Sequence, residues 1–505
     1  MSIESVHTQY EEAVEGWKTV IDCISGGRTI KKLGETYLPK LDGQTETEYQ
    51  KFKNRGNFFN GTATANRAQT GLLTRKPPEA ETELDDSIIA DVDLQGNDIS
   101  GYVVELAEAI SSTGRACTLI EWSEEEQRPY FAFYREVDIL DWHTTRSKGK
   151  NVLDYLKVRE RDDEMKEDDI STANTERIRI YRLRDGILTV DVYSDRNKTS
   201  QVTGSGVQTY LGKGVTSSME AEESLEPKRG GKNLDFIPVV FHGATHTRPD
   251  VGEIPLEDLA QINISHYVSS VDLEHARHIA ALPTPYATGI DDSNGGSFKL
   301  GTEYAWISEN DNAKFGFLEF TGSGLSELTK ALEEKEKQMA ALGARLLFAE
   351  SRDAEAFETV QLRASADTAS LSRMAGAMSA SLSRAMQIAA WWTDKTSAQR
   401  PSDYAESNFL VIAQDFVSAG MQAQQLTALV SALQMGAISY PTFFYNLQKG
   451  EIYPDGLTLD EEKRDLEQEN PMPTPQPGPE LEPGPGPDQA EETPEQAEEQ
   501  AEGEE

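Results

Sequence analysis

Cysteine is nearly absent from this 505-residue chain: Cys23 and Cys117 stand in unrelated segments without metal or redox spacing. That excludes a disulfide framework and fits two buried thiols in a reducing compartment. No apolar run approaches the roughly 18 residues that cross a bilayer. The opening Met-Ser-Ile-Glu-Ser-Val-His has neither a basic nor an apolar leader region, so a membrane role is not expected. Basic charge is also scarce, with 48 Lys and Arg against 87 Asp and Glu and a net charge of -39. From Gln468 onward there are twelve acidic residues and no basic one; setting those twelve aside leaves -27 for the body. A protein that grips DNA by neutralising phosphates shows a basic face, so this balance argues against tight DNA binding, though not against surrounding DNA loosely.

What is present is a soluble, multi-part composition with 37% hydrophobic and 27% charged residues. Tyr10, Ala13, Trp17 and Ile21 recur at helical spacing until Gly26-Gly27. A second helical pattern opens at Thr45 with Glu48 three residues on, runs through Tyr49, Phe52, Phe58 and Phe59, and stops by Pro77-Pro78. A short helix over 99–110 precedes strands at 115–122 and 129–134. Alternating runs around Asp185-Gly186 predict a hairpin within 176–193, and residues 194–234 read as a long excursion before a strand at 236–241.

The central section is the most regular. Residues 256–280 contain no Gly or Pro and predict a helix close to 38 Å long at about 1.5 Å per residue. Leu282-Pro-Thr-Pro285 stops it. A compact insert follows, with strands around 304–307 and 315–318 and a turn at 291–296. A second helix spans 324–348, with Leu325, Leu328, Leu332, Met339, Leu342 and Leu346 in one stripe and Lys335 taking its one polar turn. A third, rich in Ala and Ser, spans 357–392; a strand at 408–412 and helices over 421–435 and up to Gly450 complete the body. The Pro-, Gly- and Glu-rich end from Asn470 is expected to be disordered. The fold class is therefore α+β, mainly helical.

Enzyme chemistry is not legible. Gly206 to Gly214 has a loop spacing one residue too long for a phosphate-binding loop, and Gly214 stands where Ser or Thr would hold magnesium. His242 and His246 have the separation of a metal pair but follow a strand beside Gly243, so a surface loop is expected. His275 and His278 lack a third ligand and read as packing or subunit-contact residues. Asp291-Asp292 lacks the acidic ligand at position twelve of a calcium loop. The acidic run Asp162-Asp163-Glu164 and Glu167-Asp168-Asp169 reads as solvated charge in an irregular stretch. No catalytic residue, metal or cofactor is expected.

The order of α+β half, long helix, small β insert, long helix, short loop and third long helix resembles the portal proteins of tailed bacteriophages. Tyr37-Leu-Pro-Lys40, the Gly71 to Pro78 segment, Gly114 to Ile120, Arg128 to Tyr134 and Ile139 to Trp142 are similar to successive stretches of one portal subfamily. Gly436 to Phe444, Gly450-Glu-Ile and Asp460-Glu-Glu are similar to the way many portal cores end. The resemblance covers about residues 21–469 and rests on the order of its motifs.

It implies a wing over 1–254, a first stem helix over 255–281, a clip over 282–323, a second stem helix over 324–348, a tunnel loop over 349–356, a long wing helix over 357–407, a C-terminal wing and crown over 408–467, and a disordered acidic tail over 468–505. It also implies a homo-oligomeric ring, usually a dodecamer, in the virion. Its partners would be the major capsid protein, the terminase large subunit, head-tail adaptor or tail proteins, and duplex DNA passing without sequence specificity. The tunnel loop would present Ala349, Glu350, Ser351, Arg352 and Asp353. The clip would present Asp291, Asp292, Trp306 and Phe315 to terminase or adaptor. Lys330, Lys335, Lys337, Arg345 and Arg352 are the basic candidates for the channel wall, against helix-surface pairs such as Glu333 with Lys337. Two other readings are another non-enzymatic head or adaptor protein, which would form no closed channel, and a metal-dependent nuclease built on the acidic run from Asp162 to Asp169.

Overall fold

The structure is a computed structural model and describes residues 3, 5–147, 149–165, 172–194, 220–281, 284–289, 310–318, 324–344, 357–394, 400–414, 416, 423–449, 452–453 and 457–469. The chain divides into two compact units, Met1–Phe416 and Val417–Glu505.

The first unit opens with four helices: α1 (Thr8–Ser25), α2 (Gly27–Leu33), α3 (Glu46–Arg55) and α4 (Gly61–Leu73). The second helical pattern in the sequence is thus two helices, not one. Thr45 and Glu48 form a reciprocal capping box that starts α3. After Gly56 a short link leads to Asn60, whose side chain accepts from Ala63 N and starts α4. Strand β1 (Glu79–Glu81), helix α5 (Asp86–Ala90) and helix α6 (Ile99–Ser112) follow, with Asp98 capping α6.

Strands β2 (Arg115–Ser123) and β3 (Arg128–Arg135) are the next pair, and β11 (Val239–Gly243) joins the far edge of β2 to give the antiparallel order β11-β2-β3. Between them in sequence lies a five-stranded antiparallel meander: β4 (Ile139–Ser147), β5 (Lys150–Met165), β6 (Thr172–Arg184), β7 (Ile187–Ser194) and β8 (Glu220–Leu225). The turn Asp185-Gly186 has positive φ at both residues, as a type I′ hairpin requires. A two-residue ladder, β9 (Lys228–Arg229) with β10 (Lys232–Asn233), precedes β11.

Helix α7 (Glu257–Ala281), strands β12 (Thr284–Thr288) and β13 (Lys314–Leu318), helix α8 (Leu325–Ala344), helix α9 (Phe357–Thr393) and strand β14 (Phe409–Val411), paired with β1, complete the first unit. The second unit contains α10 (Ala423–Gln434), α11 (Tyr440–Lys449) and α12 (Leu459–Glu469). Gly436, at φ +69, lets the chain turn between α10 and α11.

Two cores organise the first unit. The larger is layered: α6 and α9 cover one face of β11-β2-β3, and the five-stranded sheet covers the other. On the helix-facing side, Trp392 Nε1 donates to Ile120 O at 2.9 Å, and His242 bridges Thr118 Oγ1 at 2.7 Å to Ser381 Oγ at 2.8 Å. His242 is therefore a buried residue of β11, and burial holds its pKa down at about 3. This corrects the surface-loop expectation: the strand runs on through Gly243, which pairs with Arg115. The acidic residues Asp162, Asp163 and Glu164 lie within β5, paired with β6, rather than in an irregular stretch; 167–169 lie outside the described residues. The smaller core joins α1, α2, α3, α4, α7 and α8 through Val20, Ile30, Tyr49, Phe52, Ala65, Leu259, Tyr267, Val271 and Met339.

Candidate functional site: an anchored helix pair

Helix α7 carries Asn263, Tyr267 and Ser270 at helical spacing on one buried stripe, and the three bond to the last turn of α3, the link after it and the start of α4. Asn263 Nδ2 donates to Phe59 O at 2.6 Å, while its Oδ1 accepts from Thr62 N at 3.1 Å and Thr62 Oγ1 at 2.9 Å. Tyr267 OH donates to Lys53 O at 3.3 Å, and Ser270 Oγ accepts from Asn57 N at 3.1 Å. Gly56 lies against Val271, where an added Cβ would come within 2.2 Å of Val271 Cγ2. These contacts satisfy the backbone of an irregular segment and fix α7 to it. The stripe was present in the sequence as polar residues four and three apart within an otherwise apolar helix face, but its partner was not.

Helix α8 runs back antiparallel to α7. Met339 is buried beside Gly61 and Asn263, and Lys335 lies farther along toward Ser265 and Ser269. Lys335 Nζ donates to Ser269 Oγ at 2.6 Å and Ser265 O at 3.1 Å. That is the physical reason for its place in the apolar stripe: it is turned to α7. His266 Nε2 lies 3.2 Å from Glu336 Oε1 and adds a second crossing. Of the other basic candidates, Lys330 pairs with Glu327 at 2.8 Å, and Lys337 is exposed with no ion pair among the described residues.

Beyond Asp272 the pair is less covered. Burial raises the Asp272 pKa, with His275 and Lys335 opposing. His275 accepts from Arg55 Nη1 at 3.0 Å; burial and then Arg55 lower its pKa, which suits the neutral ring as acceptor. Ile279 is exposed, and the β12-β13 hairpin shows Tyr286, Phe315 and Phe317 to solvent. By register, Phe315 and Phe317 share one face and Tyr286 lies on the other, across Gly316. The described partner of β13 is β12, which begins right after Pro283 and includes Pro285, and the 304–307 segment lies outside the described residues. Asp291, Asp292, Trp306, Arg345, Ala349, Glu350, Ser351, Arg352 and Asp353 also lie outside them.

Among the described residues no group of three His, Cys, Asp or Glu side chains could hold a metal ion, and no helix is long and apolar enough to cross a membrane.

The segment 255–393, from the start of α7 to the end of α9, matches a domain family of unknown function, DUF4055. No curated protein matches the chain. Among solved structures, a chain in the virion of a native gene transfer agent particle is similar at 10% identity and a TM-score of 0.37, covering 81% of this chain and 95% of that one. A chain in the neck of an empty gene transfer agent particle, computed with sixfold symmetry, is similar at 11% identity and a TM-score of 0.35, covering 86% of this chain and 97% of that one.

Proposed function

We propose that this chain is one subunit of a portal ring: a closed homo-oligomer whose helix pairs stand side by side around a channel for duplex DNA at one capsid vertex. The observation that carries the reading is the α7–α8 pair, bound to the first helical cluster along one half and ending in the small β12-β13 hairpin at the other. In this reading the pair is the stem, the hairpin belongs to the clip that meets the packaging motor and later the adaptor, and α9 crosses the wing.

A channel through which DNA must slide favours few fixed cations, because each lysine held on a phosphate adds a bond to break at every step. Net charge of -39 suits that requirement. Of the basic candidates described on α8, Lys335 is committed to α7 and Lys330 is paired with Glu327, which leaves Lys337 to face a duplex. The chain performs no chemistry in this account; it holds, centres and hands over.

Negative-stain electron microscopy of the purified full-length protein, with its mass in solution, tests the reading. Rings with a central hole and a mass of about twelve 55.9 kDa subunits support it. A closed oligomer without a hole, or magnesium-dependent cleavage of plain duplex DNA by the pure protein, overturns it.

A further inference from the structure

In a chain with nearly two acids for each base, four cations gather at one corner with no ion pair among the described residues. Arg28 and Lys31 lie one turn apart on α2, and Lys51 and Arg55 one turn apart on α3. Lys31 Nζ donates to Asn54 O at 3.2 Å, which brings the two helices' basic faces together. Arg55 continues the corner to His275, a neutral acceptor, and not to a carboxylate. None of the four forms an ion pair with a described residue, and the nearest acids on these elements are spent elsewhere: Glu35 and Glu46 on Lys40, Glu48 in the capping box of Thr45.

The opposite pattern appears past the other end of α4. Glu79, Glu81, Glu83, Asp85 and Asp86 are all exposed, and none of them pairs with a described cation. The thirteen residues of α4 separate the two patches by about 20 Å at 1.5 Å per residue. They therefore occupy different places on one subunit, as a head-to-tail contact requires.

We propose that the cationic corner Arg28, Lys31, Lys51 and Arg55 docks on the acidic ridge 79–86 of a second copy of this chain. The inference rests on the ring reading and names the contact that lets the ring close. Copies carrying -39 each repel one another, so their association needs a local match of opposite charge. A patch of four cations in so acidic a body is small for a long polyanion and of a size with five carboxylates on a neighbour.

The test is a charge swap in the full chain. One variant carries R28E, K31E, K51E and R55E; a second carries E79K, E81K, E83K, D85K and D86K; a third carries both sets. Mass photometry reads assembly, and circular dichroism with thermal unfolding reads folding. The wild-type oligomer is expected to weaken as salt rises from about 50 mM to 500 mM, as screened surface pairs do. Each single-sided variant is expected to remain folded and to assemble at least roughly a hundredfold less tightly, since like charges then face each other. The doubly reversed chain is expected to recover the oligomer.

Single-sided variants that assemble like wild type overturn the proposal while leaving the ring reading intact. A folded double variant that fails to recover overturns it as well. Loss of duplex-DNA retention with assembly unchanged in the first variant assigns the corner to nucleic acid and overturns it. A wild-type chain that never leaves the monomer overturns the proposal together with the ring reading.

Discussion

Arg179 on β6 donates from Nη1 to Glu121 Oε2 on β2 at 2.8 Å, and this contact ties the five-stranded sheet to the three-stranded one. Glu121 also accepts from Tyr181 OH at 2.6 Å and Tyr130 OH at 2.8 Å, while Glu160 Oε2 on β5 lies 3.2 Å from Arg179 Nε and Glu160 Oε1 accepts from Tyr134 OH. Burial works against the charge of Arg179, but the two carboxylates prevail and hold its pKa above the ordinary arginine value. Glu121→Gln is expected to lower stability by about 2–3 kcal/mol, the scale of a charged hydrogen bond lost in a poorly solvated place. Urea denaturation reads it. An effect under half a kcal/mol would mean the two sheets are held by apolar packing alone.

The anchoring of α7 gives a local prediction. Asn263→Ala leaves Phe59 O and Thr62 N without their partners in a buried site, for an expected loss of about 2–4 kcal/mol. Hydrogen exchange is expected to quicken at residues 57–62 and in the first half of α7, with β2 and β3 unchanged.

Gly56→Ala probes the same joint by volume. The new methyl would lie 2.2 Å from Val271 Cγ2, so α7 must shift, at about 1–3 kcal/mol. Its φ of -65° makes no demand for glycine, which leaves the clash as the cause. Adding Val271→Ala is expected to recover part of the loss; no recovery would place the cost elsewhere.

Two buried groups set opposite pH dependences. Glu136 is raised from 4.5 to about 7 by burial, so its contribution is present below pH 4.5 and is lost as pH rises through about 7. His242 is lowered from 6.5 to about 3, so its contribution is present above pH 6.5 and is lost as pH falls through about 3. Between pH 4.5 and 6.5 the two slopes oppose. Glu136→Gln is expected to expose the histidine's slope, with stability rising by about 1 kcal/mol per pH unit over that window. An unchanged slope would contradict the buried assignment of Glu136.

Much of this architecture could be read in advance where one physical rule dominated. The capping box at Thr45, the Asp185-Gly186 hairpin and the Pro-free lengths of α7 and α9 all follow from local chemistry. Strands β4 and β5 were hidden because their apolar alternation is broken by charge: Lys157, Arg159 and Arg161 sit among strand residues, and their cost is met by Ser5 O, Ile3 O and Asp138. His242 was misread because a polar residue beside glycine looks like a loop until Thr118 and Ser381 supply both of its partners. Lys335 was singled out correctly as the polar member of an apolar stripe, yet only tertiary structure gives its partner as α7. Long-range partners leave little trace in spacing, which is why helices were legible and the joint that anchors them was not.

A three-dimensional reconstruction of the assembled full-length protein by cryo-electron microscopy tests the central claim most directly. The account predicts a closed ring in which the α7–α8 pairs of successive copies surround an opening wide enough for duplex DNA, with the β12-β13 hairpins together at one end. A closed assembly whose helix pairs point away from the axis, or one with no axial opening, would contradict it.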